Sequence, residues 1–243
     1  AAALSALALS ADRRRLAIAE AHESRPQLVL VEINSGHRSK PLTCADTDSK
    51  RYLCAAFSAD GARVAAIGDG AAADLIVWDA SELQLLYVLP RSERRMPLSR
   101  ISWSPVEEHV ACGTGLLGAV VVWRLTDSKA TAKEWAVSKG QSHDLADHCW
   151  LDDGLVAACT SAGGVLLYRI RTGELIQTLG TEPVAEPCVL SCICKCARGF
   201  AVAGADGLLI VFERSVEGAY AAQAAYRCPP TRSGAADGSG GML

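Results

Sequence analysis

The sequence lacks the features that mark several large classes of protein. It has no apolar run of about 18 residues, the length that a membrane-spanning helix needs, and the longest apolar stretch, GLLGAVVVW, is about half of that. Acidic and basic residues nearly balance at 27 and 24, so no basic excess is available to bind nucleic-acid phosphates. The short basic clusters at 13–15 and 91–95 are therefore expected to be solvated turns. We predict neither a membrane nor a nucleic-acid partner.

The sequence also lacks the common catalytic motifs. No nucleophile elbow, P-loop or HExxH pattern is present. Gly113, Gly115 and Gly118 do have the spacing GxGxxG, but a dinucleotide site needs a helix that begins within this motif. The residues that follow, AVVVWRL, are β-branched and typical of a strand. We therefore expect a turn between two strands, and we predict no enzymatic activity, no cofactor and no small-molecule substrate.

Cysteine, in contrast, is abundant, with ten residues in a chain that is half apolar. A chain of 243 residues can form a sizeable core, so a disulfide framework of the kind found in short secreted domains is not expected. Cys192, Cys194 and Cys196 alternate in SCICKC, which suggests metal ligands or a strand. In a strand, the outer two Cα atoms would be roughly 13 Å apart, too far for one zinc ion. We predict a strand with buried or half-buried structural thiols.

The most informative feature of the sequence is a repeat of about 45 residues. Apolar runs end in an aromatic residue at Trp78, Trp123, Tyr168 and Phe212, with spacings of 45, 45 and 44 residues. A weaker copy, LVLVEINSG, has Val31 at the aromatic position, and Asp79 completes the single Trp-Asp pair. About 20 residues before each run, two apolar stretches flank a turn-prone tetrapeptide, as in AAFSADGARVAAIG. Each unit therefore reads as four short strands.

Four strands at this period are the sequence signature of a WD-type β-propeller blade. A single sheet cannot bury both of its faces, whereas radially stacked blades cover one another. We predict an all-β, WD40-type propeller with about five four-stranded blades, an incomplete part of a seven-bladed ring, over residues 1–228. Residues 229–243, rich in Gly and Ser, are predicted to be a flexible linker. The predicted blades lie near residues 4–44, 51–92, 97–140, 145–182 and 187–228.

The densest group of polar side chains is HDLADHCW, residues 143–150. In a strand, His148 and Cys149 point to opposite faces, so they cannot form a nucleophile and base pair. His143, Asp147 and His148 could bind a metal, but their spacing matches no strict zinc motif. We favour a hydrogen bond that braces the blade, or exposure to solvent, and predict no metal.

Five parts of the sequence are more specific than the general repeat, and they are LALSADRRRLAIAEAHESRPQLVLVE, AAFSADGARVAAI with LIVWDASELQ, WSPVEEHVACGTG, LADHCWLDDGLVAACTSAGGVLLY and ARGFAVAGADGLLIVFE. These segments resemble the amino-terminal propeller of the cilia- and flagella-associated protein 57 family. The resemblance implies two tandem propellers followed by a long coiled coil, in the cytoplasm, within the cytoskeleton of the ciliary or flagellar axoneme. It also implies axonemal and inner dynein arm components as protein partners.

These observations lead to one expected function and two alternatives. The expected function is a non-catalytic WD-repeat scaffold of the axoneme that supports assembly or regulation of inner dynein arms. The first alternative is a generic WD-repeat adaptor of a cytosolic or nuclear complex. The second is a propeller enzyme, which would need titratable side chains at the central channel, where the sequence places mainly Ala, Val, Leu and Cys. The blade anchors Val31, Trp78, Asp79, Trp123, Tyr168 and Phe212 are expected to be structural, and the protein-binding residues remain unassigned.

Overall fold

The structure is a computed structural model, and it consists of short strands joined by turns. It describes residues 3–70, 75–89, 98–126, 129–135, 143–181 and 188–228. The predicted linker at 229–243 and the basic cluster at 91–95 lie outside these residues. The strands are β1 (Ala3–Leu9), β2 (Arg15–Ala21), β3 (Gln27–Glu32), β4 (Tyr52–Phe57), β5 (Arg63–Gly68), β6 (Leu75–Asp79), β7 (Leu85–Leu89), β8 (Leu98–Trp103), β9 (Val110–Gly115), β10 (Val120–Thr126), β11 (Lys129–Trp135), β12 (Leu145–Trp150), β13 (Leu155–Thr160), β14 (Val165–Arg169), β15 (Glu174–Leu179), β16 (Leu190–Cys196), β17 (Gly199–Gly204), β18 (Leu208–Arg214) and β19 (Tyr220–Arg227).

The strands form five antiparallel sheets in which chain neighbours are also sheet neighbours. The first sheet is β1-β2-β3, and the other four contain β4 to β7, β8 to β11, β12 to β15 and β16 to β19. This arrangement confirms the prediction of an all-β propeller built from about 45-residue units. Within the described residues, no helix is long and apolar enough to cross a membrane.

Burial along the strands follows their position in each sheet. The second strands are largely apolar, and β9 and β13 are buried at every residue because neighbouring sheets cover both of their faces. The outer strand β15 instead alternates between exposed and half-buried side chains, as expected for an edge strand with one solvated face. The continuous apolar runs in the sequence thus correspond to strands covered on both sides.

The sheets stack in chain order, and each pair of neighbours shares one apolar core. Four clusters of buried side chains join the first sheet to the second, the second to the third, the third to the fourth and the fourth to the fifth. None of these clusters, within the described residues, joins the first sheet to the fifth. One face of each terminal sheet is therefore open, and the first exposes Leu4, Leu7 and Leu9 at 68%, 58% and 52%.

The first sheet differs from the predicted four strands. Residues 38–42 run beside β3, but only two isolated bridges form, Val31 with Arg38 and Leu28 with Leu42. Pro41 lies between these bridges, and proline has no backbone N–H to continue a ladder. The segment still covers the edge of β3, because Leu28 and Leu42 exchange backbone hydrogen bonds of 3.0 and 2.8 Å.

The first strand of every sheet carries an irregularity at the same place. The register with the second strand shifts by one residue just after Leu4, Tyr52, Leu98, Leu145 and Leu190. Such a shift is a β-bulge, which leaves one residue unpaired and increases the local twist. The bulge repeats with the sequence unit, so it belongs to the blade and not to one local sequence.

Candidate functional site

The four aromatic anchors are almost fully buried, and each packs towards the preceding sheet. Trp78, Trp123, Tyr168 and Phe212 are 1–2% exposed and belong, in that order, to the four successive inter-sheet cores. Val31 occupies the corresponding place in the first sheet, where no other sheet of the described residues covers it, and it is only half-buried. The anchors therefore contribute to packing between blades.

Two of the aromatic anchors pack against a second aromatic ring, and the aspartate that follows Trp78 stabilises a turn. The Trp78 ring meets the Tyr52 ring edge-on at 5.7 Å between centroids, and the Phe212 ring stacks on Phe200 at 5.0 Å. The Asp79 carboxylate accepts hydrogen bonds from the backbone N–H groups of Ser81 and Glu82 at 2.8 and 2.7 Å. Asp79 thus stabilises the turn that follows its strand, as aspartate commonly does.

The glycine pattern GxGxxG has a packing role in one of its members. Gly113 lies within β9, and a Cβ atom there would come within 2.5 Å of Cη2 of Trp123. Gly115 ends β9, and Gly118, with a φ of 73°, closes a three-residue turn before β10. The motif therefore connects two strands, and the only helical element within it is a single 3-10 turn, Leu116–Gly118, not the α-helix that a dinucleotide site needs.

The most elaborate polar cluster, here called the His148 network, joins the third and fourth sheets. His148 of β12 is 7% exposed, and its Nε2 and Nδ1 atoms lie 2.6 and 2.7 Å from the hydroxyl oxygens of Ser102 and Thr114. Trp150 donates its indole N–H to the Ser102 hydroxyl at 2.8 Å. Burial, the larger cause, and the nearby Arg100 guanidinium lower the pKa of His148 to about 4. A neutral imidazole here links two blades.

The network agrees with the bracing role favoured for HDLADHCW, but its partners could not be found from sequence. Ser102 and Thr114 lie 46 and 34 positions before His148, in segments without a distinctive pattern. Trp150 belongs to the network, whereas His143 and Asp147 do not hydrogen-bond to its hydroxyls. His143 is exposed, and Asp147 approaches the Arg100 side chain at 3.6 Å. Within the described residues, no three His, Cys, Asp or Glu side chains are placed to hold a metal ion.

The prediction that the SCICKC thiols are buried or half-buried is wrong. Cys192, Cys194 and Cys196 lie on one side of β16, as its alternation requires, but all three are exposed. Their side of the fifth sheet faces away from the fourth, whereas Ile193 on the other side is 6% exposed and packs into the shared core. The strand was predicted correctly, but burial depends on a neighbouring sheet that would have to cover this face.

Four other thiols are buried and behave as small apolar side chains: those of Cys44, Cys54, Cys112 and Cys159. Cys54 and Cys112 lie between sheets, and none of the ten cysteines, all of which are within the described residues, forms a disulfide bond. Burial raises the pKa of Cys54 to about 12 and that of Cys112 further. These thiols are therefore protonated and unreactive at neutral pH.

Arginine side chains in or beside the turns form a second set of contacts between blades. Arg15 donates to the carbonyl of Gly61 in the next sheet at 2.6 Å, and Arg63 of the second sheet donates to that of Leu125 in the third at 2.8 Å. Farther along, Glu107 of the third sheet accepts from Arg171 of the fourth at 3.3 Å. The cluster at 13–15 is therefore solvated only in part.

Serine side chains hold several of these turns closed. The hydroxyls of Ser10 and Ser58 each accept the backbone N–H five residues later, at 2.9 Å, and each donates to the Asp two residues later. Both serines are 2% exposed. The sequence signal for this role is the repeated Ser-Ala-Asp at 10–12 and 58–60.

Comparison with known proteins agrees with this architecture. No protein-family model matches the chain. It is 22% identical over 254 aligned residues to cilia- and flagella-associated protein 57 of Mus musculus, an alignment that covers 87% of this chain and 20% of the relative. It is 26% identical over 189 residues to cilia- and flagella-associated protein 57 A of Tetrahymena thermophila, covering 72% of this chain and 14% of the relative. The chain therefore spans a fifth or less of the length of these relatives.

Solved structures with the same fold are WD40 propellers. The β-propeller domain of Cps50 (Swd1) from Myceliophteria thermophila superposes with a TM-score of 0.70 at 16% identity, covering 89% of this chain and 67% of that one. The WD40 repeats of RRP9 superpose with a TM-score of 0.69 at 12% identity, covering 92% and 66%. Five stacked sheets that account for two thirds of such chains form an incomplete propeller. The chain is therefore part of a WD40-type β-propeller, and it is similar to cilia- and flagella-associated protein 57.

Proposed function

We propose that this protein is a non-catalytic scaffold of the ciliary or flagellar axoneme that supports assembly or regulation of inner dynein arms. The observation that carries the proposal is the similarity to cilia- and flagella-associated protein 57 in two distant organisms, over most of this chain. A stack of rigid sheets suits this role, because it holds exposed turns in fixed relative positions for partner proteins. The location and the partners come from the relatives' names and from the family resemblance.

The buried polar groups support a structural role for the blade interior. Both ring nitrogens of His148 are engaged by hydroxyls of the neighbouring sheet, so neither is available to a substrate. We propose that the anchors Val31, Trp78, Trp123, Tyr168 and Phe212 act only through packing, and that the five blades have the boundaries given by the repeat. Binding specificity then belongs to the exposed turns.

Localisation of the tagged full-length protein in ciliated cells tests the proposal. We expect the protein in the axoneme, where it should stay after membranes are removed with detergent and the axonemes are washed with salt. Deletion should reduce the amount of inner dynein arm subunits in isolated axonemes, with outer arm subunits as the internal control. A protein found in the cytosol or nucleus and absent from cilia would contradict the proposal and favour the generic adaptor.

A further inference from the structure

The junction between the fourth and fifth sheets departs from the other junctions at two places in the repeat. The first place lies in the first strand, at the residue that is aligned with the aromatic anchor through the second strand. In the second, third and fourth sheets this residue is a buried aromatic that packs into the core shared with the preceding sheet: Phe57, Trp103 and Trp150. In the fifth sheet it is Lys195, whose side chain is 41% exposed.

The second place lies at the end of the third strand, two residues after the aromatic anchor. In each of these sheets its backbone N–H donates to the carbonyl of the residue just before the second strand, so the positions are equivalent. In the second, third and fourth sheets the residue is buried and apolar: Ala80, Leu125 and Ile170. In the fifth sheet it is Arg214, which is exposed. Two cations thus replace apolar core residues, and such a departure from a repeated pattern is expected at a functional site.

Lys195 and Arg214 both line a cavity of about 250 Å³ between the fourth and fifth sheets. Arg198 adds a third cation, and Asp152 of the fourth sheet is the single carboxylate among the described residues of the lining. Asp152 lies 2.5 Å from the Lys195 amine, and Glu213, outside the lining, lies 2.9 Å from the Arg198 guanidinium. Even when Glu213 is counted, these five side chains carry one positive charge in excess.

The cavity is accessible from the side of the turns. The Arg198 side chain is 78% exposed, whereas Tyr220 is 5% exposed and forms part of the wall, with its ring 5.5 Å from that of Phe200. Because the cavity lies between two sheets that this chain contains, a sheet added beyond the fifth would cover the opposite face of the fifth sheet. The cavity would therefore stay open in a complete ring.

We propose that this cavity binds a phosphorylated side chain of a partner protein. A phosphoryl group carries a charge of about −1.5 to −2 at pH 7, and an arginine guanidinium can bind it through two parallel hydrogen bonds. The volume suits one such side chain, since pockets for whole small molecules measure about 300–1,000 Å³. A nucleic acid would need a row of cations, and the chain has no basic excess. This inference rests on the proposed scaffold function and deepens it, because it names the chemistry of the partner.

A photo-reactive amino acid at position 197 of the full-length protein tests the proposal in ciliated cells. Ala197 lines the cavity, is exposed and carries no charge, so its replacement leaves the cations in place. We expect crosslinks to a partner segment that contains a phosphorylated residue. That segment is then synthesised with and without the phosphate. Without it, binding to the purified full-length protein should weaken by at least about tenfold, because charge-assisted hydrogen bonds are lost.

The double substitution K195W/R214I gives this junction the side chains of the fourth sheet, Trp150 and Ile170. It should remove the difference in affinity between the two peptides without lowering the thermal midpoint, because the equivalent places are apolar in the other sheets. R198A, a change at an exposed side chain, should weaken binding of the phosphorylated peptide alone. The matched control is K40A/R171A, which removes two positive charges from exposed side chains outside the cavity and should leave both affinities nearly unchanged.

The absence of crosslinks from position 197 would overturn the proposal, as would crosslinks to a segment with carboxylates and no phosphate, or to RNA or lipid. Equal affinity of the two peptides would also overturn it, and so would an unchanged difference in both R198A and K195W/R214I. An equal loss with K40A/R171A would show that net charge alone causes the effect, which contradicts a specific cavity. Absence of the unmodified protein from cilia would instead contradict the scaffold function, and the peptide affinities would still test the cavity.

Discussion

Protonation of His148 should separate the third and fourth blades at low pH. In the fold, burial and the Arg100 guanidinium lower the pKa of His148 from 6.5 to about 4. A proton added in the fold would leave a buried charge, and Thr114 and Ser102 would both have to act as acceptors, although the Ser102 oxygen already accepts from Trp150. The neutral form is therefore the one that stabilises this contact.

The two pKa values of His148, folded and unfolded, determine how the stability of this contact changes with pH. Because the folded pKa is lower than the unfolded one, the stabilising contribution is complete above pH 6.5 and is lost as the pH falls towards 4. The difference between the two pKa values corresponds to about 3 kcal/mol in the free energy of opening this contact. This is an upper value, because it assumes that the imidazole is fully exposed to solvent in the open state. Below about pH 4 the histidine is protonated in both states, so its contribution stops changing.

Hydrogen exchange of the full-length protein measures this effect locally. Peptides from β8, β9 and β12 should lose protection between pH 6.5 and 4 after correction for the intrinsic exchange rate. The matched control is His148→Gln, since a glutamine amide can hydrogen-bond the same hydroxyls without titrating in this range. The variant should show a flat response for these peptides. Identical pH dependence in the two proteins would refute the reasoning, because the titrating group would then lie elsewhere.

Three further predictions concern packing and exposure. Gly113→Ala should destabilise the protein by about 1–3 kcal/mol in thermal unfolding, because its Cβ would overlap the Trp123 ring. Gly164→Ala, whose Cβ would meet no atom closer than 3.5 Å, is its control and should leave the melting temperature nearly unchanged. Leu7→Ser should increase the soluble yield of residues 1–243 expressed alone, because it removes an exposed apolar side chain from an open sheet face; equal yield would show that this face does not cause aggregation. The three thiols of β16 should react with maleimide within minutes in that chain, and Cys54 only on unfolding, as mass spectrometry of digested samples can show; equal rates would contradict the burial of Cys54.

The sequence predicted the sheets well because the repeat makes each strand visible several times. The spacing of Trp78, Trp123, Tyr168 and Phe212 locates the third strands, and the turn residues before them locate the first two. The three-stranded first sheet was not predicted, because its apolar pattern resembles the other units and only Pro41 interrupts the ladder. Local patterns thus indicate strands more reliably than they indicate completed pairing.

The candidate site was less predictable, because its contacts join distant segments. Ser102, Thr114 and His148 meet through the stacking of two sheets, and nothing near Ser102 or Thr114 in the chain indicates it. The exposure of Cys194 could not be predicted for the same reason. Alternation along a strand assigns residues to two faces, but it does not show which face a neighbouring sheet covers.

The bulge that recurs in every first strand has a consequence for how such a blade can change. By register, the residues directly after the bulge are equivalent in the five sheets, and they are Ala6, Cys54, Arg100, Asp147 and Cys192. Side chains as different as a methyl group, a thiol, a guanidinium and a carboxylate thus occupy the same position in the same backbone conformation. This position accepts different side chains because the bulge is formed by main-chain hydrogen bonds and depends little on the side chain that follows it. Substitution at Arg100, Asp147 and Cys192 therefore offers a route to new chemistry on the first strands, whereas Ala6 and Cys54 pack against the cores between the blades and are less free to change.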